Sequence, residues 1–116
     1  NDLDSSMANF DGNYPYGSAR KGQYRERTVE VRSLPGNAWG LFEMHGNVWE
    51  WCEDHFAPYP GSGTEEPTKN AKEDMRVLRG GSWIDYARYC RSAYRYDYVP
   101  TIRYGLVGFR LARTAE

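Results

Sequence analysis

The sequence lacks any long hydrophobic run. No stretch approaches the roughly 18 consecutive apolar residues of a membrane-spanning helix, and no signal-type segment opens the chain, so we expect no membrane insertion. The formal net charge of −1 hides an asymmetry, because residues 84–113 carry six arginines against two aspartates. This local excess favours acidic partners only weakly, and we expect no nucleic-acid partner.

Cysteine is also scarce. The two cysteines, Cys52 and Cys90, are too few for a disulfide scaffold or a four-cysteine zinc site. They could form one disulfide, or they could remain two small buried thiols. The second alternative is favoured because free cysteine is among the residues most often buried.

The motifs of the common catalytic classes are absent. The chain shows no Ser-His-Asp order, no glycine-rich phosphate loop and no zinc-ligand spacing. Its two histidines, His45 and His55, are interpreted as structural rather than metal-binding. The sequence therefore indicates a protein that is not an enzyme.

The residues that are abundant indicate one small domain, residues 1–116, rich in turns. Twelve glycines and six prolines, with no sustained apolar period of 3.6 residues, predict short strands and long loops with little helix. Gly80 and Gly81 mark a place where a close backbone approach or a bulge is expected. The predicted strands are residues 28–34, 47–51, 75–83 and 107–112, and residues 57–72 are predicted to form a surface loop.

Large aromatic side chains are expected to build the core, because aliphatic residues are scarce while aromatic residues make up 16% of the chain. Two arginines, Arg79 and Arg110, are expected to pair with acids such as Glu50 or Asp54 and so to fix loops. The aromatic residues assigned to packing are Trp39, Trp49, Trp51, Trp83 and Phe109.

Three motifs carry a resemblance to a known family. They are Gly-Leu-Phe-Glu-Met-His-Gly-Asn-Val-Trp-Glu-Trp at residues 40–51, Arg-Gly-Gly-Ser-Trp at 79–83 and Gly-Phe-Arg-Leu-Ala at 108–112. In this order and spacing they resemble the formylglycine-generating-enzyme (sulfatase-modifying factor) superfamily. The resemblance implies an α+β fold of the C-type-lectin-like kind, with short strands, long loops and little helix.

The same resemblance specifies what catalysis would need. Members that oxidise a substrate cysteine use a closely spaced cysteine pair and a copper ion, and soft Cu(I) selects sulfur ligands. Here the corresponding region holds only Cys90, and Ser92 best matches the second cysteine. A related branch uses histidine-held iron, but His45 and His55 have no third partner. An oxidoreductase relative therefore remains the alternative rather than the expectation.

Members of this family often bind calcium near the aromatic motif. The resemblance assigns that role to the Glu43 side chain with the carbonyl oxygens of Met44, Gly46 and Val48. Hard oxygen ligands of this kind suit Ca²⁺. A tight loop without metal is the alternative, and no cofactor is required.

Residues 84–106 contain six of the ten tyrosines and follow neither helical nor strand periodicity. Tyrosine combines a large contact area and a polar tip with little rotamer entropy to lose, so this composition is typical of binding surfaces. A tyrosine-rich core is the alternative, although so many phenols would not all find buried partners in a small domain. We therefore predict a ligand-binding surface.

A codon pattern sharpens this prediction. Thirteen residues of the segment belong to the set Ile, Asp, Tyr, Val, Gly and Leu, which an AAC codon reaches when its two adenines are replaced. Lys, Glu, Gln, Met and Trp, which it cannot reach in this way, are absent from residues 84–113. The predicted ligand-binding positions are Ile84, Asp85, Tyr86, Tyr89, Tyr94, Tyr96, Asp97, Tyr98, Val99, Ile102, Tyr104, Gly105 and Leu106.

This pattern resembles the variable proteins of diversity-generating retroelements, whose variable region sits on the same fold. The resemblance implies a display protein that recognises a protein or other cell-surface ligand, itself placed on a virion or a cell surface. A fixed lectin-like binding module is a further alternative, although the carbohydrate signatures Glu-Pro-Asn and Gln-Pro-Asp are absent.

Overall fold

A computed structural model describes residues 2–56 and 75–115. Within them, four short strands form one mixed sheet: β1 (Trp49–His55), β2 (Arg76–Arg79), β3 (Arg95–Tyr98) and β4 (Val107–Gly108). The spatial order is β3-β2-β1-β4, with β4 parallel to β1 and the other pairs antiparallel. The one helical element in this described part is a 3-10 helix at Ala87–Cys90. The expected fold of short strands, long loops and little helix is confirmed.

Strand β1 begins inside the aromatic motif, as predicted from residues 47–51. Its first residue, Trp49, is buried, and its main-chain N–H donates to the carbonyl of Leu106 at 2.7 Å. On the other side, Trp51 is opposite Leu78 of β2, and the register shifts between Trp51 and His55. Strand β1 thus joins the C-terminal part of the chain to the middle of the sheet.

Strand β2 is the buried centre of the sheet. Both Val77 and Leu78 are almost fully buried, although their side chains point to opposite faces. The predicted strand 75–83 ends at Arg79 because Gly80 and Gly81 adopt positive φ values of 97° and 72°, which a strand does not accommodate. The close backbone approach expected at these glycines is confirmed at Gly81, where a Cβ would lie 2.5 Å from the Cys90 sulfur.

Two strand predictions were wrong. Residues 28–34 contain no strand: Arg32 has a φ of 64°, and the N–H of Ser33 donates to the carbonyl of Glu30, so the chain turns. The strand predicted at 107–112 is only the two-residue β4, and residues beyond it are exposed. The loop predicted at 57–72 lies outside the described residues.

Strand β3 was missing from the sequence predictions, although it occupies an edge of the sheet. It pairs with β2 over four residues, from Arg95 opposite Arg79 to Tyr98 opposite Arg76. Arg79 also donates from Nη1 to the carbonyl of Ser92, which holds the turn that leads into β3. The face of β3 that carries Tyr96 is open to solvent, since 46% of the Tyr96 surface is exposed.

A small core joins the N-terminal loops to the 3-10 helix. Ala8, Phe10, Ala87 and Cys90 are buried together, and Tyr16 packs against them with Leu3. Trp49 lies in the core as predicted, while Trp51 and Trp83 are half-buried.

Trp39 and Phe109 are not core residues, with 86% and 74% of their surfaces exposed. The Asn37 side chain accepts hydrogen bonds from the N–H groups of Trp39 and Leu41, and this turn projects Trp39 outward. The packing role expected of Phe109 is therefore wrong, and the neighbouring Arg110 holds this segment through polar contacts instead.

Arg110 fixes the C-terminal segment through its guanidinium group. Its Nε and Nη2 donate to the two carboxylate oxygens of Glu50, each at 2.6 Å. Nη2 also donates to the carbonyls of Phe42 and Glu43, each at 2.9 Å. The predicted pairing of Arg110 with Glu50 is confirmed, and the two-pronged geometry is the one that favours arginine over lysine.

Within residues 2–56 and 75–115, no helix has the length and apolar character that crossing a membrane would require.

Candidate ligand-binding surface

A row of tyrosines follows the open face of β3. Because side chains alternate along a strand, Tyr94, Tyr96 and Tyr98 share one face, while Arg95 and Asp97 point to the other. The ring of Trp49 lies beneath this row, with centroids 6.0 Å from Tyr94 and 5.8 Å from Tyr96. The row of tyrosines therefore packs on Trp49, the buried tryptophan of the motif at residues 40–51.

The tyrosine row forms one wall of a cavity of about 430 Å³ that is open to solvent. Its floor is formed by Trp49 and by Leu78 of the central strand. Asp85 is the one charged residue among the described residues that line it. We call this space the tyrosine cavity; its lining is Trp49, Leu78, Asp85, Tyr89, Tyr94, Tyr96, Tyr98, Tyr104, Leu106 and Val107.

A second group of rings continues from the cavity across the 3-10 helix. Tyr89 meets Tyr94 edge to face, with centroids 5.0 Å apart, and lies 6.1 Å from Tyr86. Tyr86 in turn stacks on Tyr14 at 3.8 Å. The guanidinium of Arg88 lies 4.8 Å from the Tyr89 ring centroid, and its Nη2 donates to the Tyr89 hydroxyl. The aromatic surface is therefore continuous from Tyr14 to the tyrosine cavity.

The thirteen predicted binding positions have one property in common: none of them is buried. Within residues 84–106, the two buried residues are Ala87 and Cys90, and both lie outside the predicted set. Seven predicted positions line the tyrosine cavity, namely Asp85, Tyr89, Tyr94, Tyr96, Tyr98, Tyr104 and Leu106. The other six, which do not line it, are Ile84, Tyr86, Asp97, Val99, Ile102 and Gly105.

Four residues of this surface were missed as binding candidates, namely Tyr14, Trp49, Leu78 and Val107. Trp49 was assigned to packing alone, yet it also forms the cavity floor. Tyr14 is half-exposed and joins the surface by stacking on Tyr86. Nothing local in the sequence marks Tyr14, since its role depends on a contact across 72 positions of the chain.

Asp85 has a structural role as well as a place in the cavity. Its Oδ2 accepts hydrogen bonds from the N–H and the hydroxyl of Ser82, at 2.9 and 2.6 Å. Its main-chain carbonyl accepts the N–H of Asp11 at 2.9 Å. These bonds fix the carboxylate at the beginning of the segment, ahead of the 3-10 helix.

The phenols of Tyr86 and Tyr94 stay protonated at neutral pH, because the pKa of each is raised above its usual value. Burial raises the pKa of Tyr94, and the charges of Tyr89, Tyr96 and Asp85 raise it further. A hydrogen bond with Tyr14 raises the pKa of Tyr86. Neutral hydroxyls can donate as well as accept hydrogen bonds, so the rim of the surface offers both functions to a ligand.

The cysteines are free thiols rather than a disulfide. Cys90 is fully buried, and desolvation raises the pKa of its thiol from 9.0 to about 12. Burial also raises the pKa of the half-buried Cys52. Because the thiolate is the form that binds metal and attacks substrates, both groups are poorly suited to such chemistry at neutral pH.

The position that matches the family's second cysteine does not supply a second thiol beside Cys90. Ser92, which best matches the second cysteine, is exposed, and its carbonyl accepts a bond from Arg79. His45 donates from Nδ1 to the carbonyl of Cys90, a structural role that agrees with its sequence interpretation.

The segment proposed for calcium is tightly coiled, since Glu43, Gly46 and Asn47 have φ values of 48°, 76° and 68°. The Glu43 carboxylate already accepts the N–H of Arg32 through Oε1, at 2.9 Å. Among the described residues, no group of three or more His, Cys, Asp or Glu side chains could hold a metal ion. A cation at this place would therefore depend on main-chain carbonyls in addition to Glu43.

The mixed sheet, the long loops and the aromatic surface together define a C-type-lectin-like domain of the formylglycine-generating-enzyme type. Residues 1–115 match the model of the sulfatase-modifying factor enzyme 1-like domain, and the chain belongs to that family.

Relatives within the family include one that is named as an enzyme and one that is named as inactive. The formylglycine-generating enzyme of Streptomyces coelicolor is 42% identical over 94 residues, covering 77% of this chain and 30% of that enzyme. The inactive C-alpha-formylglycine-generating enzyme 2 of Mus musculus is 32% identical over 111 residues, covering 91% and 32%. Membership of the family therefore does not by itself imply catalysis.

Among solved structures, Treponema denticola variable protein 1 superimposes with a TM-score of 0.68 and 33% sequence identity. The match covers 90% of this chain and 34% of that protein. The chain thus spans about a third of the length of each of these three relatives. Both resemblances found in the sequence, to the enzyme superfamily and to variable proteins, are confirmed.

Proposed function

We propose that this protein is a display protein that binds a protein or cell-surface ligand through the tyrosine cavity and the aromatic surface around it. One observation carries the proposal: the thirteen substitutable positions are all at least partly exposed, and seven of them line one cavity. The similarity to a variable protein supports the same interpretation. In this proposal, residues such as Ala87 and Cys90 hold the scaffold while the exposed positions change.

The encoding locus provides the direct test of diversification. We expect a near-copy of the coding segment for residues 84–107, with adenines at the substituted positions, close to a reverse-transcriptase gene. Sequencing the locus across a population should then show changes concentrated at the thirteen positions. An invariant segment without such a copy would favour a fixed lectin-like binding module instead.

Binding itself is tested with the double variant Tyr94→Ser, Tyr96→Ser. Both rings contact Trp49 from the open face, and removing two contact tyrosines should weaken binding by roughly 2 to 6 kcal/mol. The measurement is retention on an array of cell-surface proteins, with circular dichroism to confirm folding. The matched control is Phe109→Ser, which removes an exposed ring outside the cavity.

The proposed function is not enzymatic. The support is the single buried thiol of Cys90, whose raised pKa disfavours the thiolate that copper chemistry requires. We expect no stoichiometric copper in purified protein and no oxygen consumption with a cysteine-containing peptide. Copper at one equivalent would instead favour the oxidoreductase alternative.

We also propose that calcium stabilises the domain through Glu43 and the carbonyls of Met44, Gly46 and Val48. A ligand at about 100 times its Kd stabilises the folded state by roughly 2.7 kcal/mol, so millimolar calcium should raise the melting temperature relative to EDTA. Glu43→Gln should remove most of this increase, whereas the exposed Glu30→Gln should retain it. An identical melting temperature in calcium and EDTA would contradict the proposal.

A further inference from the structure

We propose that the tyrosine cavity receives a basic side chain, arginine or lysine, of a protein ligand. The inference uses the binding surface of the proposed function and rests on that function, but it specifies the chemistry of what is bound. Its first basis is the aromatic lining, since Trp49, Tyr94, Tyr96 and Tyr98 lie side by side around one space. Ring faces carry negative electrostatic potential and attract cations that approach within about 6 Å.

The second basis is the charge of the lining. The segment around the cavity is rich in arginine, yet no arginine or lysine is among the described residues that line the cavity. The charged residue that does line it is Asp85, a carboxylate held in place by Ser82. Its charge acts on the cavity wall, because after desolvation and the neighbouring tyrosines it contributes to the raised pKa of Tyr94, which the charge of Arg88 lowers in part.

The third basis is an interaction already present beside the cavity. Arg88 lies over two rings of the same aromatic surface, 4.8 Å from the Tyr89 centroid and 5.5 Å from the Tyr86 centroid. This surface therefore accommodates guanidinium groups on ring faces. Arg88 itself is outside the lining of the cavity, so it does not fill the space.

A side chain carried by a protein fits this place better than a free small cation. Tyr96 and Tyr104 line the cavity while remaining about half-exposed, so they also present surface to whatever surrounds the opening. Ile84 and Ile102 of the same segment are exposed as well. A protein ligand would insert a basic side chain between the rings and cover this apolar surface with the residues that flank it.

The test uses two capped tripeptides, acetyl-Gly-Arg-Gly-amide and the same peptide with citrulline, a neutral isostere of arginine. Binding is followed by NMR through the indole N–H of Trp49, assigned with Trp49→Phe. We expect the arginine peptide to bind about tenfold more tightly than the citrulline peptide. Equal binding of the two peptides would overturn the inference, while the proposed binding function would stand.

Variants distinguish the contribution of the Asp85 charge from that of the aromatic ring of Tyr98. Asp85→Asn keeps an acceptor for Ser82 but removes the charge, and it should weaken arginine-peptide binding about fivefold. Asp54→Asn is the matched control, because Asp54 is exposed and does not line the cavity, and the affinity of this variant should stay within about twofold. Tyr98→Phe should retain binding and Tyr98→Leu should lose it; equal affinity of these two would contradict the cation–ring contact.

The outcomes also separate this inference from the proposed function. One outcome is that neither peptide shifts the Trp49 signal while array binding still depends on Tyr94 and Tyr96. In that outcome the inference of a basic side chain is wrong, and the proposed display function stands. If methyl α-glucoside shifts the signal and the arginine peptide does not, a sugar occupies the cavity and the inference is overturned.

Discussion

At the scale of single residues, the thiol of Cys90 is the group whose chemistry folding changes most. Burial raises its pKa from 9.0 to about 12, with the charge of Asp85 contributing after desolvation. The sulfur donates a weak hydrogen bond to the carbonyl of Tyr86, at 3.8 Å. The residue that in an enzyme of this superfamily could serve as a ligand therefore acts here as a packing residue under the aromatic surface.

This shift predicts how stability depends on pH. Between pH 9 and 12 the unfolded chain releases the Cys90 proton while the folded chain keeps it, so the free energy of unfolding falls as pH rises. At pH 10.5 the loss should be about 2 kcal/mol relative to pH 8.5. Urea unfolding under reducing conditions measures it. Cys90→Ala should lose about 2 kcal/mol less over the same interval, and identical losses would show that the thiol does not titrate in this way.

At the scale of elements, the junction between β2 and the 3-10 helix depends on Gly81. Its φ is 72°, and a Cβ would lie 2.5 Å from the sulfur and 3.2 Å from the Cα of Cys90. Gly81→Ala should therefore lower the free energy of unfolding by roughly 2 to 4 kcal/mol. Gly105→Ala, where a Cβ would meet nothing within 4 Å, should stay within about 0.5 kcal/mol. Similar losses measured by urea unfolding in both variants would refute the packing argument.

The elements that the sequence predicted are those with strong local signals. The aromatic motif around Trp49 and the pair Gly80 and Gly81 correctly indicated β1 and the end of β2. Residues 28–34 alternate as a strand would, but alternation does not reveal whether a partner strand is available, and here the chain turns. Local pattern therefore predicts the capacity to form a strand rather than its pairing.

At the candidate site, the local pattern failed in the other way, because it did not predict a strand that does form. Strand β3 was missed because its alternation is of tyrosine with charged residues rather than of apolar with polar ones. Three tyrosines that composition marked as binding candidates, Tyr94, Tyr96 and Tyr98, all line the cavity. Composition could not predict the floor of the cavity beneath these tyrosines. Trp49 and Leu78 come together there only because β1 pairs with β2.

At the scale of the whole molecule, the predicted binding positions and the buried residues form two sets that do not overlap. The buried apolar residues come from the N-terminal loops, the first residue of β1, the central strand β2 and the 3-10 helix. The predicted binding positions lie at the 3-10 helix, on the edge strand β3 and in the adjoining loops, and none of them is buried. A protein whose ligand changes when its sequence changes needs this separation. Most substitutions at buried positions would destabilise its fold.

The separation predicts that the surface can be rewritten without unfolding the domain. Ile84, Tyr96, Ile102 and Tyr104 are 40% to 54% exposed, so replacing all four with Asn should lower the free energy of unfolding by about 1 to 2 kcal/mol in total. A single core change, Leu78→Ala, should cost about 2 to 5 kcal/mol because that side chain is fully buried. Urea unfolding compares the two variants. If the four surface changes cost more than the one core change, the tyrosine surface is part of the core, and a display function that relies on freely varied positions would be excluded.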